Sequence, residues 1–180
     1  TDDWTSWRYR RVVVAGAWRP GAQFMIDNRI QDGRAGFHVV APIVLDDGRA
    51  VLVDRGWIAA GAGASRVPEV PAASGRVETT GRIVLPPKRY IEWTGDPATG
   101  ALRQNLDPAR IASSIGIALL PIVIEQDAAA ANDGLVRRWP DPDLGVDMHR
   151  GYMLQWYAFA ALAAGLWLFF TWRASRAKPA

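Results

Sequence analysis

The chain has 180 residues, and 21 basic against 18 acidic side chains leave a formal charge of +3. That even balance, with arginines scattered singly and no basic stripe with interleaved aromatics, argues against a nucleic-acid partner. There is no cysteine, which excludes disulfides, thiolate metal sites, iron–sulfur clusters and a cysteine nucleophile.

Residues 9–16 (YRRVVVAG) predict a first strand ended by Gly16, and residues 23–28 (QFMIDN) a second. Asp32-Gly33 is a hairpin-type turn. Residues 37–45 (FHVVAPIVL) predict a third strand, bent or placed at a sheet edge by Pro42. Asp46-Asp47-Gly48 turns the chain into a fourth at 50–57 (AVLVDRGW), the clearest hairpin in the sequence. Residues 61–75 read as a long loop, and the alternation in 76–85 (RVETTGRIVL) as a fifth strand stopped by Pro86-Pro87. Residues 88–105 have no regular pattern. Asp107-Pro108 then supply an N-cap and a proline at the first helical position for a short helix over 109–115, which ends at Gly116. Residues 120–126 (LPIVIEQ) predict a last apolar strand. Five or six short strands with one small helix predict a mainly β fold with some α. Its expected form is an antiparallel sheet curled into a small barrel or sandwich. No strand–helix alternation supports a nucleotide-binding α/β fold.

Residues 152–172 (YMLQWYAFAALAAGLWLFFTW) carry no charge and one strongly polar side chain, Gln155. At a rise of ~1.5 Å per residue they cover roughly 30 Å, the thickness of a hydrocarbon core. Only a helix crosses as a single segment, because it satisfies its own backbone. Aromatic residues cluster near both ends, and Arg173, Arg176 and Lys178 follow, which predicts a transmembrane helix with its C-terminal end in the cytoplasm. The expected plan is a β-rich periplasmic domain at 1–147, a transmembrane helix at 148–172 and a basic cytoplasmic tail at 173–180. The chain begins at Thr1 without a signal sequence, so a second transmembrane helix upstream, missing from this chain, is the expected means of export.

Signatures of catalysis are scarce. There is no Gly-x-Ser-x-Gly elbow, phosphate loop or His-Glu-x-x-His, and the aspartates fall mostly in turns, where they bond the local backbone. Of two histidines, His38 reads as a half-buried residue of the third strand. His149 stands three residues before Tyr152 and seven before Trp156, so a continuous helix puts all three on one face. Imidazole at the outer membrane surface either caps the boundary as a polar group or ligates a haem iron whose ring lies on those aromatics. Arg55-Gly56-Trp57 reads as a bend glycine with the arginine on the tryptophan. Ala158, Ala161 and Gly165 are spaced as in close helix packing.

Several blocks occur in a familiar order: Tyr9-Arg-Arg-Val12 with Gly16, Gly36-Phe-His-Val39 with Pro42, Asp46-Asp-Gly48, Val53-Asp-Arg-Gly-Trp57, and His149-x-x-Tyr152 with Trp156. Together they resemble the Surfeit locus protein 1 family of cytochrome c oxidase assembly factors, over nearly the whole chain. The resemblance implies two transmembrane helices around an outward β-rich domain in the bacterial inner membrane, and no catalytic activity. It implies help in maturing the haem-bearing catalytic subunit of a terminal oxidase, with haem a bound or presented and haem-modifying enzymes as partners. The family's proposed haem-ligating histidine falls on His149, beside Tyr152 and Trp156. Members commonly carry Asn before that histidine and before Arg-Gly-Trp, where this chain has Met148 and Asp54. Two other readings stand beside this one: a structural protein that holds the immature subunit without a cofactor, and a membrane-anchored enzyme.

Overall fold

The computed structural model describes residues 3–61, 67–86, 101–128, 133–140 and 146–176. Among the described residues there are seven strands: β1 (Arg11–Trp18), β2 (Phe24–Gln31), β3 (Arg34–Val44), β4 (Ala50–Ala59), β5 (Arg76–Val84), β6 (Leu102–Arg103) and β7 (Leu119–Gln126). Two α-helices, α1 (Pro108–Ile115) and α2 (Val146–Arg176), complete it, with a 3-10 turn at Trp4–Trp7 ahead of β1. The chain divides into two compact units, Thr1–Trp139 and Pro140–Ala180.

The turns behave as their residues require. Asp32 and Gly33 both take positive φ, 50° and 72°, so the β2–β3 hairpin closes tightly. At the β3–β4 turn Leu45 N donates to Arg49 O at 2.8 Å, and Asp47 Oδ1 accepts from Arg49 N at 2.9 Å. The Asp107 carboxylate accepts from Ala109 N and Arg110 N at 2.9 and 3.3 Å, and α1 stops at Gly116 with φ 69°.

The first unit is one sheet in the order β1-β5-β7-β4-β3-β2-β6, and β1 also pairs with β3 through Ala17↔Val44 and Trp18↔Ile43. The expectation of a purely antiparallel sheet is corrected here. β4 runs parallel to β7 and β2 parallel to β6, so the sheet is mixed. α1 lies between β6 and β7 in the chain, and after it β7 enters between β5 and β4, parallel to β4. β6, two residues long, lies in the stretch that had read as irregular; so short a strand has no periodicity to detect.

Pro42 is not at an edge of the sheet. It is fully buried within β3, paired in register with Leu52. On the other side of β3, β2 covers residues 34–40 and β1 begins only at Ile43, so the missing N–H falls at the changeover between neighbours. The Pro42 carbonyl faces that gap and accepts from Arg19 N at 3.0 Å.

The two faces of the sheet bury different sets. Val14, Trp18, Ile43, Val51, Val53, Ile83, Ile122 and Ile124 form one cluster. On the opposite face Ile26, Val40, Leu52 and Val123 pack with Phe24 and Leu106 under Ile111 of α1. β4 is therefore covered on both faces, which is why its residues 50–53 are apolar without alternation.

Candidate functional site

α2 runs unbroken through positions 149, 152 and 156, as the expected one-face arrangement demands, because residues 146–176 contain no proline and are rich in Ala, Leu and Phe. Tyr152 and Trp156 are 58% and 70% exposed, so two aromatic rings stand free at the start of the apolar stretch. The side chain of His149 lies outside the described residues. From Gln155 to Arg176 the helix is long and apolar enough to cross a membrane, and none of that window is buried. Trp156 meets Phe159 edge-on at 6.2 Å, and the Arg176 guanidinium lies 4.0 Å over the Trp172 ring. Arg173 and Arg176 form the last turn of α2, where cations suit the helix dipole.

In the first unit, chemistry collects at a bulge in β4. Val39 pairs with Gly56 but Val40 with Asp54, so Arg55 is an extra residue and the strand kinks there. Gly56 takes φ 141°, and a Cβ on it would stand 3.0 Å from both Leu135 Cβ and Val136 O. Only glycine suits both the torsion and the space. The 133–140 segment docks at this point: Trp57 N donates to Val136 O and Val136 N to Trp57 O, each at 2.8 Å. Two other glycines of the ordered blocks also mark close approaches. A Cβ on Gly16 would meet Val44 O at 2.3 Å, and one on Gly36 would meet the Trp57 ring at 2.5 Å.

The bulge sends its neighbours in opposite directions. Arg55 goes to Gln23 Oε1 (2.5 Å), Pro71 O (3.1 Å) and Asp133 (3.3 Å), with its guanidinium 5.9 Å from the Trp18 ring. The tryptophan beneath Arg55 is thus Trp18 of β1, not the adjacent Trp57, whose indole N–H donates to Arg29 O. Burial pushes the Arg55 pKa down, against the attraction of Asp133. Asp133 also accepts from Arg137 at 2.6 Å. Burial would raise the Asp133 carboxyl, but its bonds from Arg137 and Leu135 N and the two nearby cations hold it below the usual range.

Asp54 faces the other way and accepts from His38 Nδ1 at 2.6 Å and from Gly56 N at 3.2 Å. His38 is half-buried, as expected, and meets the edge of the Trp139 ring at 5.6 Å. Asp54 lies opposite Glu125, and Glu125 opposite Arg82, to which it is ion-paired. A polar band, His38–Asp54–Glu125–Arg82, therefore crosses β3, β4, β7 and β5. Each member sits two residues from an apolar residue of the α1-covered cluster: Val40, Leu52, Val123 and Val84. Burial raises the Glu125 carboxyl, against Arg82, with Asp54 adding to the rise. Sequence reasoning did not pair His38 with Asp54; no local signal relates residues on different strands until the register is known. Among the described residues no three His, Asp or Glu side chains form a metal-binding group. Asp54 and Glu125 are each held by a basic partner, an arrangement that ties strands together and leaves no free acid–base pair.

The SURF1 family model matches residues 1–161. An uncharacterized SURF1-like protein of Mycobacterium tuberculosis is 26% identical over 162 residues, which span 87% of this chain and 57% of that protein. The chain thus spans little more than half the length of such relatives. The cytochrome oxidase assembly protein SHY1 of Saccharomyces cerevisiae is 34% identical over 53 residues, 29% of this chain and 14% of its own. A SURF1-like protein of Dictyostelium discoideum is 33% identical over 57 residues, 32% of this chain and 21% of its own. With the match extending from the first strand into the aromatic start of α2, the chain belongs to the SURF1 family.

Proposed function

We propose that this protein assists the assembly of a cytochrome oxidase as a membrane-anchored, non-enzymatic factor that takes haem a as cargo. One observation carries the reading: a continuous helix holds positions 149, 152 and 156 in register, with the rings of Tyr152 and Trp156 exposed beside an apolar span. Family membership and the name of the yeast relative supply the oxidase. Exposed flat aromatic faces suit a hydrophobic macrocycle, and an imidazole one turn away suits its iron. His149 would ligate the iron while Tyr152 and Trp156 pack against the ring. The sheet unit would be a small barrel closed through the β1–β3 pairing and would stand in the periplasm. α2 would anchor it in the bacterial inner membrane and dock on the oxidase's catalytic subunit, with haem-modifying enzymes as donors.

The test is the visible spectrum of the full chain purified from cells that make haem a. The wild type is expected to carry haem and His149→Ala to lose most of it; equal haem in the two would overturn the ligation. The glycines and the bulge all serve packing within the sheet, and this favours a second reading, a protein that holds the immature subunit without a cofactor. Copurification of the subunit with a haem-free wild type would support that instead.

A further inference from the structure

The described interior holds several buried or half-buried arginines, and most are paired with a carboxylate. Arg55 and Arg137 share Asp133, and Arg82 takes Glu125. Arg103 differs. It lies on β6, is 6% exposed, and pairs with no carboxylate among the described residues. Its Nη2 donates to Ser114 Oγ at 2.9 Å, its guanidinium lies 5.0 Å over the Phe24 ring, and its Nε is buried without an acceptor. A buried cation with an unmatched donor is costly. The neighbouring C-terminal turn of α1 supplies only about half a negative charge, shared with its own cap.

Arg103 lines a cavity of about 310 Å³ together with Phe24, Ser114, Ile115 and the turn residues Gly21 and Ala22. That size is at the lower end of small-molecule sites, roughly 300–1,000 Å³. A guanidinium is a planar fork of donors, the geometry that matches a carboxylate or phosphate group. We infer that this cleft between β2, β6 and the end of α1 binds a small anion through Arg103, the ligand bearing one carboxylate or phosphate group beside a short apolar portion. The site is independent of any haem on α2.

The experiment measures the thermal midpoint of the full chain in detergent, by tryptophan fluorescence, in Tris-chloride of fixed ionic strength. Inorganic phosphate and acetate are the probes. At about a hundredfold excess over Kd, a bound anion is expected to raise the midpoint by about 5 °C over chloride alone. A shift with phosphate alone identifies a phosphate group, and one with acetate alone a carboxylate. Ser114→Asp places an internal carboxylate where the hydroxyl now meets Arg103 and is expected to weaken binding at least about tenfold. Arg103→Gln is expected to abolish the shift; should it not fold, Ser114→Asp, whose midpoint in chloride reports its folding, decides. No shift with either anion in the wild type, or a shift retained in Ser114→Asp, would overturn the inference.

Discussion

Gly56 compresses the logic of the sheet unit into one residue. Its φ of 141° accompanies the bulge that turns Arg55 and Asp54 to opposite faces of the sheet, and its missing side chain admits the 133–140 segment. Gly56→Ala places a Cβ 3.0 Å from Leu135 Cβ and Val136 O in a torsion that L-residues avoid. A loss of about 1–3 kcal/mol is expected, read from the urea midpoint of the purified chain. Asp54 keeps one role an amide would also fill, accepting from Gly56 N. Its second oxygen holds His38 and adds a charge next to Glu125.

Among the elements, α2 is the one whose environment its composition specifies. Its exposed apolar side chains, Phe159, Leu162, Leu166 and Leu168 among them, make a surface that water does not tolerate. Leu162→Arg puts a charge near the middle of the span, at roughly 2.5–3.5 kcal/mol on insertion scales. The variant is expected to shift from the membrane pellet toward the supernatant on alkaline carbonate extraction of cells, where the wild type stays in the pellet. A wild type that is itself released would remove the anchor from the proposed function. β4 shows a different dependence. Its residues 50–53 are equally apolar, but strands on each side and α1 above cover them.

Across the whole first unit, charged groups on neighbouring strands set how stability follows pH. Glu125 has a raised folded pKa, so the stability it contributes is full below its ordinary 4.5 and is lost as pH rises through the raised value. Asp133 has a lowered one; its contribution is full above its ordinary 3.8 and is lost as pH falls through the lowered value. For these two groups both contributions are full only between 3.8 and 4.5. Glu125→Gln keeps an acceptor for Arg82 and removes the first titration. Its thermal midpoint is therefore expected to fall less than the wild type's as pH rises from about 5 to 8. Parallel curves for the two proteins would place the alkaline slope elsewhere.

Much of this architecture was written locally. Alternation in 76–85, the Asp32-Gly33 and Asp46-Asp47-Gly48 turns, the Asp107-Pro108 cap and the uncharged run of α2 are each settled by residues within one or two turns of one another, so sequence alone placed those strands, both helices and the exposed aromatics of α2. The parallel entry of β7, the two-residue β6, the tolerance of Pro42 and the band from His38 to Arg82 depend on which strands meet and in what register. So does the Arg103 Nε, buried without an acceptor, which is unusual only once its neighbours are known. Local torsions and hydropathy travel with the residues themselves, whereas ion pairing and steric fit exist only between groups that folding brings together from far along the chain.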